Sequence, residues 1–500
     1  MDAAISRGLT VESRFNRCYM KTRFVAREKE LEVLDAALAR SSSSFVTIYG
    51  RRRIGKTKTV IHFCEHNNLT YLEFTGKYDQ NKDAQIQGFI STLEDAGANI
   101  TNPVKDWAAA FRVLKQFIDK QVFNKKLVVF VDETPWLDSP KSGLIGEIAD
   151  FWNRYADRRD DIILIVCGSA ASYMIRKVVN NKGPLHARMT DIIDMSQFNL
   201  HDTKEFLHAH GMKHYNNKAI ANLYMSIGGV AMYLKLLNPK LTPEQAIQSL
   251  CFDKNGVLTN EYNTLYKSLF NSAHTHEAIM KTLSSRWEGL TRQQLAAKVN
   301  VTHRSMTVAL EELIASGFIS ESKRFGNIKQ DTLYAATDFF SYFHNRWMSG
   351  HKKAVDWVHA VNSNEFSTWT GYAFEKLCHL HINQIKSALG ISGIVTTSSY
   401  WSYRPITDDE KGAQIDLLIK HKDSRNIELV ECKYYDGPYT ITKRYKQELY
   451  DKRNVFNAQT NNKYNVRIVI IVPFGVVKNE HFYDINPYVI ELDSLFLKGK

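Results

Sequence analysis

Short apolar runs alternate with stretches of helical periodicity over the first 200 residues. The apolar runs lie at 45–49, 71–74, 127–131 and 162–166, and apolar residues recur at helical spacing at 24–40, 56–67, 104–122 and 142–157. Apolar runs without polar alternation are typical of parallel strands buried on both faces. Strands that alternate with helices therefore predict a doubly wound α/β sheet.

The remaining chain predicts further modules. Residues 201–270 have only helical periodicity, which Gly228 and Gly229 interrupt once. Between 274 and 335, three helical stretches precede two strand-like ones, which is the order of a winged helix. An aromatic-rich helical stretch at 338–370 leads to a second α/β pattern. That pattern comprises a helix from 371, strands at 413–420 and 427–433, a helix at 439–457 and a strand at 466–472.

The composition is that of a basic globular protein. Lys and Arg outnumber Asp and Glu by 65 to 53, which gives a formal net charge of +12. This excess favours polyanionic partners, because phosphate contacts release counterions, but a lysine-rich surface without a partner accounts for it equally well. The six cysteines form no CxxC pair, which argues against a zinc site and a disulfide framework. Because no apolar run reaches about 18 residues, we expect no membrane span and a reducing, cytoplasmic location.

The strongest local signal is the pattern GxxxxGK[ST] at 50–57, between a strand and a helix. The backbone N–H groups of such a loop cradle the β- and γ-phosphates of ATP, and the helix N-terminus adds its positive dipole. We expect Lys56 to neutralise phosphate charge during catalysis and the Thr57 hydroxyl to bind Mg²⁺. The predicted nucleotide-binding set comprises Gly50, Arg51, Arg52, Arg53, Ile54, Gly55, Lys56, Thr57 and Lys58.

Further residues of an ATPase site follow the later strands. Asp132 ends the apolar strand at 127–131 and would bind the hydration shell of Mg²⁺, while Glu133 would activate the attacking water. Ser169, after the next strand, either senses the γ-phosphate or belongs to a turn of small residues. Arg188 either reaches a nucleotide as an arginine finger or is a plain surface arginine.

This combination resembles the archaeal-ATPase branch of the AAA+/STAND superfamily. The similarity begins with an F-x-x-R-E box at 24–28, continues through the loop and the segments at 131–133 and 167–169, and ends at 228–234. Ala231 stands where the family often has proline, so a nucleotide contact by that last segment is not carried over. The resemblance covers about 21–345 and implies a P-loop ATPase domain followed by a winged helix.

A second constellation lies near the C-terminus. Asp416 interrupts one apolar strand, and Glu431 and Lys433 are two positions apart on the next, so their side chains leave the same face of the sheet. A hairpin of these strands would bring Asp416 beside them. Two carboxylates can hold Mg²⁺ or Mn²⁺, Lys433 would position a water or stabilise the transition state, and Glu375 on the preceding helix offers a further carboxylate. The alternative is a salt bridge across a sheet edge.

The spacing D-x₁₄-E-x-K behind a helical glutamate resembles the PD-(D/E)xK nuclease superfamily over about 369–475. The resemblance assigns metal binding to Asp416 and Glu431 and catalysis to these two together with Glu375 and Lys433. Ile415 replaces the proline of the family's pattern, which is a common variation. The helix that follows carries basic residues that would either track the phosphate backbone or form a solvated face. These residues are Lys443, Arg444, Lys446, Lys452 and Arg453.

The combined prediction is an α/β protein with a helical lid, a winged helix and a second α/β domain of the restriction-endonuclease-like fold. The predicted modules are a disordered tail (1–20), a P-loop ATPase domain with a parallel sheet (21–200), a helical lid domain (201–270), a winged-helix domain (271–345), a helical linker (346–370) and a PD-(D/E)xK nuclease-like domain (371–500).

Three functions remain open. The first is ATP-gated, metal-dependent cleavage or processing of nucleic acid, for example in defence against foreign DNA. The second is a STAND-type switch whose C-terminal domain only binds, and the third is a regulator that binds DNA through the winged helix. The complete set of Asp416, Glu431 and Lys433 favours the first function. The predicted recognition helix of the winged helix, at 303–313, has few basic residues after Arg304, which disfavours the third function. The expected partners are nucleic acid, with DNA as the preferred form, and further copies of the chain in a homo-oligomer.

Overall fold

A computed structural model describes residues 24–286, 288–326, 332–350, 355–405, 407 and 410–499. The predicted tail at 1–20 lies outside these residues. The chain divides into two compact units, one ending at Ser196 and one beginning at Gln197. Within the described parts of the chain, every helix is too short or too polar to cross a bilayer.

The first unit is built on a five-stranded parallel sheet with the strand order β2-β3-β4-β1-β5. The strands are β1 (Ser44–Tyr49), β2 (Tyr71–Thr75), β3 (Leu127–Asp132), β4 (Ile162–Gly168) and β5 (Asp191–Asp194). The helices are α1 (Glu28–Ala39), α2 (Lys56–His66), α3 (Lys82–Asp95), α4 (Trp107–Asp119), α5 (Thr134–Leu137), α6 (Leu144–Arg154) and α7 (Ala171–Tyr173), with a 3₁₀ turn at Ala156–Arg158 and a π-helical segment at Met174–Val179. The predicted parallel α/β sheet is confirmed.

The two faces of this sheet explain the continuous apolar runs. Val129 of β3 packs into a core with Trp107 and Phe111 on one face, whereas its neighbour Val128 packs with Phe63 on the other. Every strand residue of β3 and β4 is buried, because helices cover both faces and alternate side chains each meet a core. The sequence prediction lacks helix α3, strand β5 and the short helices α5 and α7.

The second unit begins with helices. They are α8 (Leu200–Ala209), α9 (Asn217–Ile227), α10 (Ala231–Lys235), α11 (Pro243–Ile247), α12 (Glu261–Leu269), α13 (Ala273–Ser284), α14 (Arg292–Ala296) and α15 (His303–Ala315), with a π-helical segment at Gln248–Phe252. A three-stranded antiparallel sheet follows in the order β6-β8-β7, from β6 (Leu290–Thr291), β7 (Ile319–Lys323) and β8 (Thr332–Ala336). Gly229 lies so close to the carbonyl oxygen of Phe198 that a Cβ would collide with it, so packing within this unit requires a glycine there.

The last part of the second unit holds a mixed five-stranded sheet with the order β13-β12-β11-β10-β9. Its strands are β9 (Thr396–Tyr403), β10 (Ala413–His421), β11 (Asn426–Cys432), β12 (Asn465–Val472) and β13 (Tyr488–Glu491). The helices are α16 (Phe339–Phe343), α17 (Trp357–Ala360), α18 (Asn364–Leu380), α19 (Ile382–Ala388), α20 (Lys443–Gln459) and α21 (Glu480–Ile485), with a π-helical segment at His344–Met348 and a 3₁₀ turn at Leu492–Phe496. Because α18 is continuous from 364 to 380, the boundary placed at 370/371 falls inside a helix.

Candidate functional site

The phosphate loop joins the end of β1 to the start of α2. Gly50, Arg53 and Gly55 have φ angles of 147°, 71° and 102°. A Cβ on Gly50 would collide with the carbonyl oxygen of Met195, so both its dihedral angle and its surroundings require glycine. This alternation of conformations closes the loop in front of the helix N-terminus, where backbone N–H groups are free to meet an anion.

Lys56 is buried inside this loop. Its Nζ donates hydrogen bonds to the carbonyl oxygens of Gly50 (3.0 Å) and Arg51 (2.9 Å) and to Oγ of Ser169 (3.1 Å). Burial lowers the pKa of Lys56, while the neighbouring carboxylates act in the opposite direction. An ammonium held by carbonyl oxygens can exchange them for phosphate oxygens without leaving the loop.

Two carboxylates at the carboxyl end of β3 lie next to the phosphate loop. The Thr57 hydroxyl donates to Oδ2 of Asp132 at 2.6 Å, so the two oxygens expected to hold Mg²⁺ lie side by side. Glu133, in a left-handed conformation with φ of 45°, accepts hydrogen bonds from the backbone N–H and the hydroxyl of Ser169. A hydroxyl and a carboxylate are the oxygen donors that Mg²⁺ prefers, so the residues fit this ion.

Arg27 is a residue of this site to which the sequence analysis gave no role. It is buried, and its guanidinium donates to the carbonyl oxygens of Ile54 (2.8 Å) and Ser196 (2.7 Å). The arginine therefore fixes the backbone of the phosphate loop from behind. Its place in the F-x-x-R-E box is the signal in the sequence that marks it.

Some of the predicted nucleotide-binding residues point elsewhere. The Arg52 guanidinium lies 5.1 Å from the ring centre of Trp136, and Lys58 is exposed on α2. Arg188 is exposed as well, and its side chain makes no hydrogen bond or ion pair with any described residue. Both alternatives for Arg188, an arginine finger and a plain surface arginine, stay predictions.

The second constellation is assembled by a hairpin and a bulge. β10 and β11 pair antiparallel, and Leu417 lies opposite Val430 at the end of the register next to Asp416 and Glu431. On its other side, β10 changes register against β9 between Ile415 and Leu418. Such a bulge re-aims side chains, and Oδ2 of Asp416 accepts a hydrogen bond of 2.9 Å from the backbone N–H of Cys432.

Two lysines converge on these carboxylates. Lys433 Nζ is 3.3 Å from Oε2 of Glu431 and 3.9 Å from Oδ2 of Asp416. Lys452, which the sequence places among residues that track phosphates or face solvent, instead lies on α20 with its Nζ 2.7 Å from Oε2 of the fully buried Glu431. No sequence pattern connects positions 431 and 452, because only the packing of α20 against the sheet joins them.

Burial dominates the electrostatics of the carboxyl groups in this cluster. Burial and, after it, the Glu431 carboxylate raise the pKa of Asp416, and burial and Asp416 raise the pKa of Glu375. Among the described residues, Oε1 of Glu431 and Oε2 of Glu375 are buried without a hydrogen-bond partner. Buried carboxylate oxygens without a partner fit a hard divalent cation such as Mg²⁺ or Mn²⁺.

The predicted metal ligands at this site are two carboxylates, Asp416 and Glu431, and Glu375 was named as a possible further carboxylate. Within the described parts of the chain, no three His, Cys, Asp or Glu side chains lie close enough together to hold a metal ion. Glu375 therefore does not complete a set of three metal carboxylates with Asp416 and Glu431. Its carboxylate is near enough to interact electrostatically with both, so it shapes the field of the site.

Comparison with known protein families agrees with the first constellation. Residues 24–237 match a family described as an ATPase domain predominantly from Archaea. This part of the chain is similar to archaeal-type ATPase domains. The match begins at the predicted F-x-x-R-E box and ends just past the segment at 228–234, so the resemblance is confirmed in its ATPase part. Residues 339–448 match a family described as archaeal and bacterial proteins of unknown function, which leaves the second constellation without an assigned activity.

Individual relatives cover most of the chain. A protein of Methanocaldococcus jannaschii described as uncharacterized is 24% identical over 455 residues, which are 88% of this chain and 94% of the relative. The Walker-type ATPase PABY2304 of Pyrococcus abyssi is 17% identical with a TM-score of 0.49, over 67% of this chain and 99% of that one. The ORC2 protein of Aeropyrum pernix is 15% identical with a TM-score of 0.43, over 66% of this chain and 96% of that one.

Proposed function

We propose that this protein is an ATPase whose nucleotide state controls metal-dependent cleavage of nucleic acid, with DNA as the substrate, at the cluster of Asp416, Glu431 and Lys433. The observation that supports the proposal is the convergence of two buried carboxylates and an ammonium group from two adjacent strands, with Lys433 3.3 Å from Glu431. Neighbouring buried carboxylates repel each other and lower the stability of the folded state, and such arrangements are typical of catalytic sites.

In the ATPase domain, each contact has a proposed role. Lys56 exchanges its carbonyl partners for the β- and γ-phosphates, and Thr57 with Asp132 holds Mg²⁺. Glu133 orients the attacking water and accepts its proton. The two hydrogen bonds from Ser169 hold the Glu133 carboxylate in one orientation, and Ser169 also touches Lys56, so a γ-phosphate beside Lys56 changes the same network.

In the C-terminal domain, Asp416 and Glu431 would hold Mg²⁺ or Mn²⁺, which when bound neutralises phosphodiester charge and lowers the pKa of water. Lys433 is placed to donate to a water or to a developing oxyanion, because its ammonium already reaches both carboxylates. Lys452 on α20 contacts Oε2 of Glu431, and Oε1 of Glu431 has no hydrogen-bond partner among the described residues. We also propose that α13 to α15 with β6 to β8 form the winged helix, which contributes to DNA binding or to packing.

A cleavage assay tests this proposal. Plasmid DNA and short labelled oligonucleotides are incubated with Mg²⁺ or Mn²⁺, with and without ATP. We expect the wild type to cut, Asp416→Asn and Glu431→Gln to be inactive, and Lys56→Ala to lose ATP turnover together with the ATP dependence of cutting. The control is Asp423→Asn, which makes the same chemical change at an exposed position of the β10–β11 turn. Cutting that persists in Asp416→Asn would remove the nuclease part of the proposal.

A second candidate is a nucleotide-controlled switch whose C-terminal domain binds without cutting. The observation that favours it is the neutralisation of Glu431 by two ammonium groups, which makes the cluster self-sufficient without a metal ion. In that case metal ions leave the thermal stability of the protein unchanged, no substrate is cut, and ATP alters the oligomeric state. Light scattering with ATP and with ADP separates this outcome from the first.

A further inference from the structure

A deep cleft in the second unit lies outside both constellations. It encloses about 670 Å³ between α13, the three-stranded sheet, α18 and the end of β9. Five of its lining residues are basic, namely Arg286, Lys298, Arg324, Arg346 and Arg404, and one is acidic, Glu288. We call this feature the basic cleft.

Most basic side chains of the cleft have no acidic partner among the residues that the structure describes. Arg346 pairs with Glu365 at 2.6 Å on a half-exposed surface. The other four basic side chains make no ion pair with any residue in the described ranges. Like charges gathered in a concave surface raise the local concentration of anions, so the cleft suits a ligand with several negative charges rather than a single carboxylate.

The opposite wall of the basic cleft is aromatic, but only one of its rings is exposed. Tyr372 lines this wall and is 39% exposed. Trp369 and Tyr342 are only 3% and 6% exposed and pack with their ring centroids 6.2 Å apart at an angle of 19°. An exposed aromatic ring next to guanidinium groups is the combination that binds unpaired bases and their phosphates.

The size and chemistry of the cleft select one form of nucleic acid. A volume of about 670 Å³ lies in the range of about 300–1,000 Å³ that encloses ligands of modest size, which allows a few nucleotides but no double helix. Bases stack on aromatic side chains only when they are unstacked from a duplex. A single strand therefore fits both walls, whereas a duplex would touch only the basic rim.

The aromatic wall adjoins the carboxylate cluster. Tyr372 precedes Glu375 by three residues on α18, so the two side chains lie about one turn apart on the same helix. Lys376 Nζ is 5.3 Å from the ring centre of Tyr342. Burial and then the Glu375 carboxylate raise the pKa of Tyr342, which places the two groups within electrostatic reach of each other. A strand bound in the cleft is thus led towards Glu375 and its neighbours.

We propose that the basic cleft binds an unpaired nucleic-acid strand, with phosphates on Arg286, Arg324 and Arg404 and a base against Tyr372, and presents that strand to the carboxylate cluster. The binding half of this inference stands without catalysis, and the presentation half rests on the proposed function. The substrate class that follows is single-stranded nucleic acid or a duplex with an unpaired segment.

Binding is measured without metal ions, so that cleavage plays no part. The full-length protein in EDTA is titrated into a labelled single strand of about 12 nucleotides and into the duplex of the same length, at about 0.1 M salt. We expect the single strand to bind more tightly than the duplex. The double variant Arg324→Glu/Arg404→Glu should weaken this binding at least about tenfold, and Tyr372→Ala should weaken it about fivefold or more. The matched control is Lys240→Glu/Lys254→Glu, two exposed lysines of the same unit that lie outside the cleft.

The outcomes test the binding role of the cleft separately from the proposed cleavage activity. Unchanged single-strand affinity in the cleft variants, equal losses in the control, or tighter binding of the duplex would overturn the inference. If the cleft variants lose binding although the wild type never cuts DNA, the cleft assignment holds and the proposed cleavage is wrong. If the wild type cuts and the cleft variants bind and cut like it, the cleft assignment is wrong while the proposed function stands. ATP turnover and circular dichroism of each variant confirm that it is folded.

Discussion

Replacing Asp416 by asparagine should stabilise the metal-free protein while abolishing its response to metal ions. The side chain is 3% exposed, and its Oδ2 accepts a hydrogen bond from the Cys432 N–H at 2.9 Å. Asparagine has the same shape and retains a carbonyl oxygen for this hydrogen bond. The substitution therefore removes a buried negative charge beside Glu431 without creating a cavity.

The magnitude follows from the raised pKa. Burial and the Glu431 carboxylate raise the pKa of Asp416, and each unit of such a shift costs the ionised folded state about 1.4 kcal/mol. We expect the substitution to increase the free energy of unfolding by about 1–3 kcal/mol at about pH 8. Because the pKa of Asp416 is raised, ionising this carboxyl costs the folded wild type free energy, and the wild type loses stability as the pH rises towards that pKa. The stability advantage of Asp416→Asn should therefore shrink as the pH falls towards 5, where the carboxyl of the folded wild type is protonated.

Thermal unfolding of the full-length protein in EDTA and in Mn²⁺ measures both effects. Asp416→Asn should melt above the wild type in EDTA, whereas Mn²⁺ should raise the melting temperature of the wild type alone. Asp423→Asn, on the exposed turn between the same two strands, should match the wild type in both conditions. A variant less stable than the wild type in EDTA, or equal stabilisation of both proteins by Mn²⁺, would refute the reasoning.

Two further predictions concern single contacts. Ser169→Ala removes the hydroxyl that donates to Glu133 and accepts from Lys56. Lys56 keeps its two carbonyl partners, so we expect kcat for ATP to fall about tenfold with little change in KM; an unaltered kcat in a phosphate-release assay would contradict the orienting role. Lys452→Met leaves the fully buried Glu431 with one ammonium partner, so denaturant titration should show a loss of about 2–3 kcal/mol. Lys446→Met on the same helix should cost much less, because its carboxylate partner is half exposed. Equal losses in both variants would contradict the argument from burial.

The first constellation was readable because its chemistry is local. The phosphate loop lies between a strand and a helix whose apolar patterns are continuous, and Asp132 sits at the end of an equally apolar strand. Helix α3 was missed, although its buried residues Ile86, Phe89, Ile90 and Leu93 recur at helical spacing. Strand β5 was not readable, because its four residues carry an aspartate at each end and become a strand only by pairing with β1.

The residues Asp416, Glu431 and Lys433 were likewise visible in the sequence, but what surrounds them was not. A bulge in β10 changes the direction of Asp416. The sequence placed Lys452 on a helix face that meets phosphate or solvent, whereas the packing of α20 brings this lysine to Glu431. The basic cleft gathers residues between positions 284 and 404 from elements that share no periodicity.

By itself, the amino-acid sequence determined the strand–loop–helix that binds phosphate and the residue types of both constellations, because neighbouring residues and a fixed periodicity dictate local backbone structure. Only the tertiary structure decided which charges meet, which carboxylate oxygens stay without partners and where a basic cavity opens. Those properties depend on distances between segments far apart along the chain, and such distances are set when the elements pack against one another.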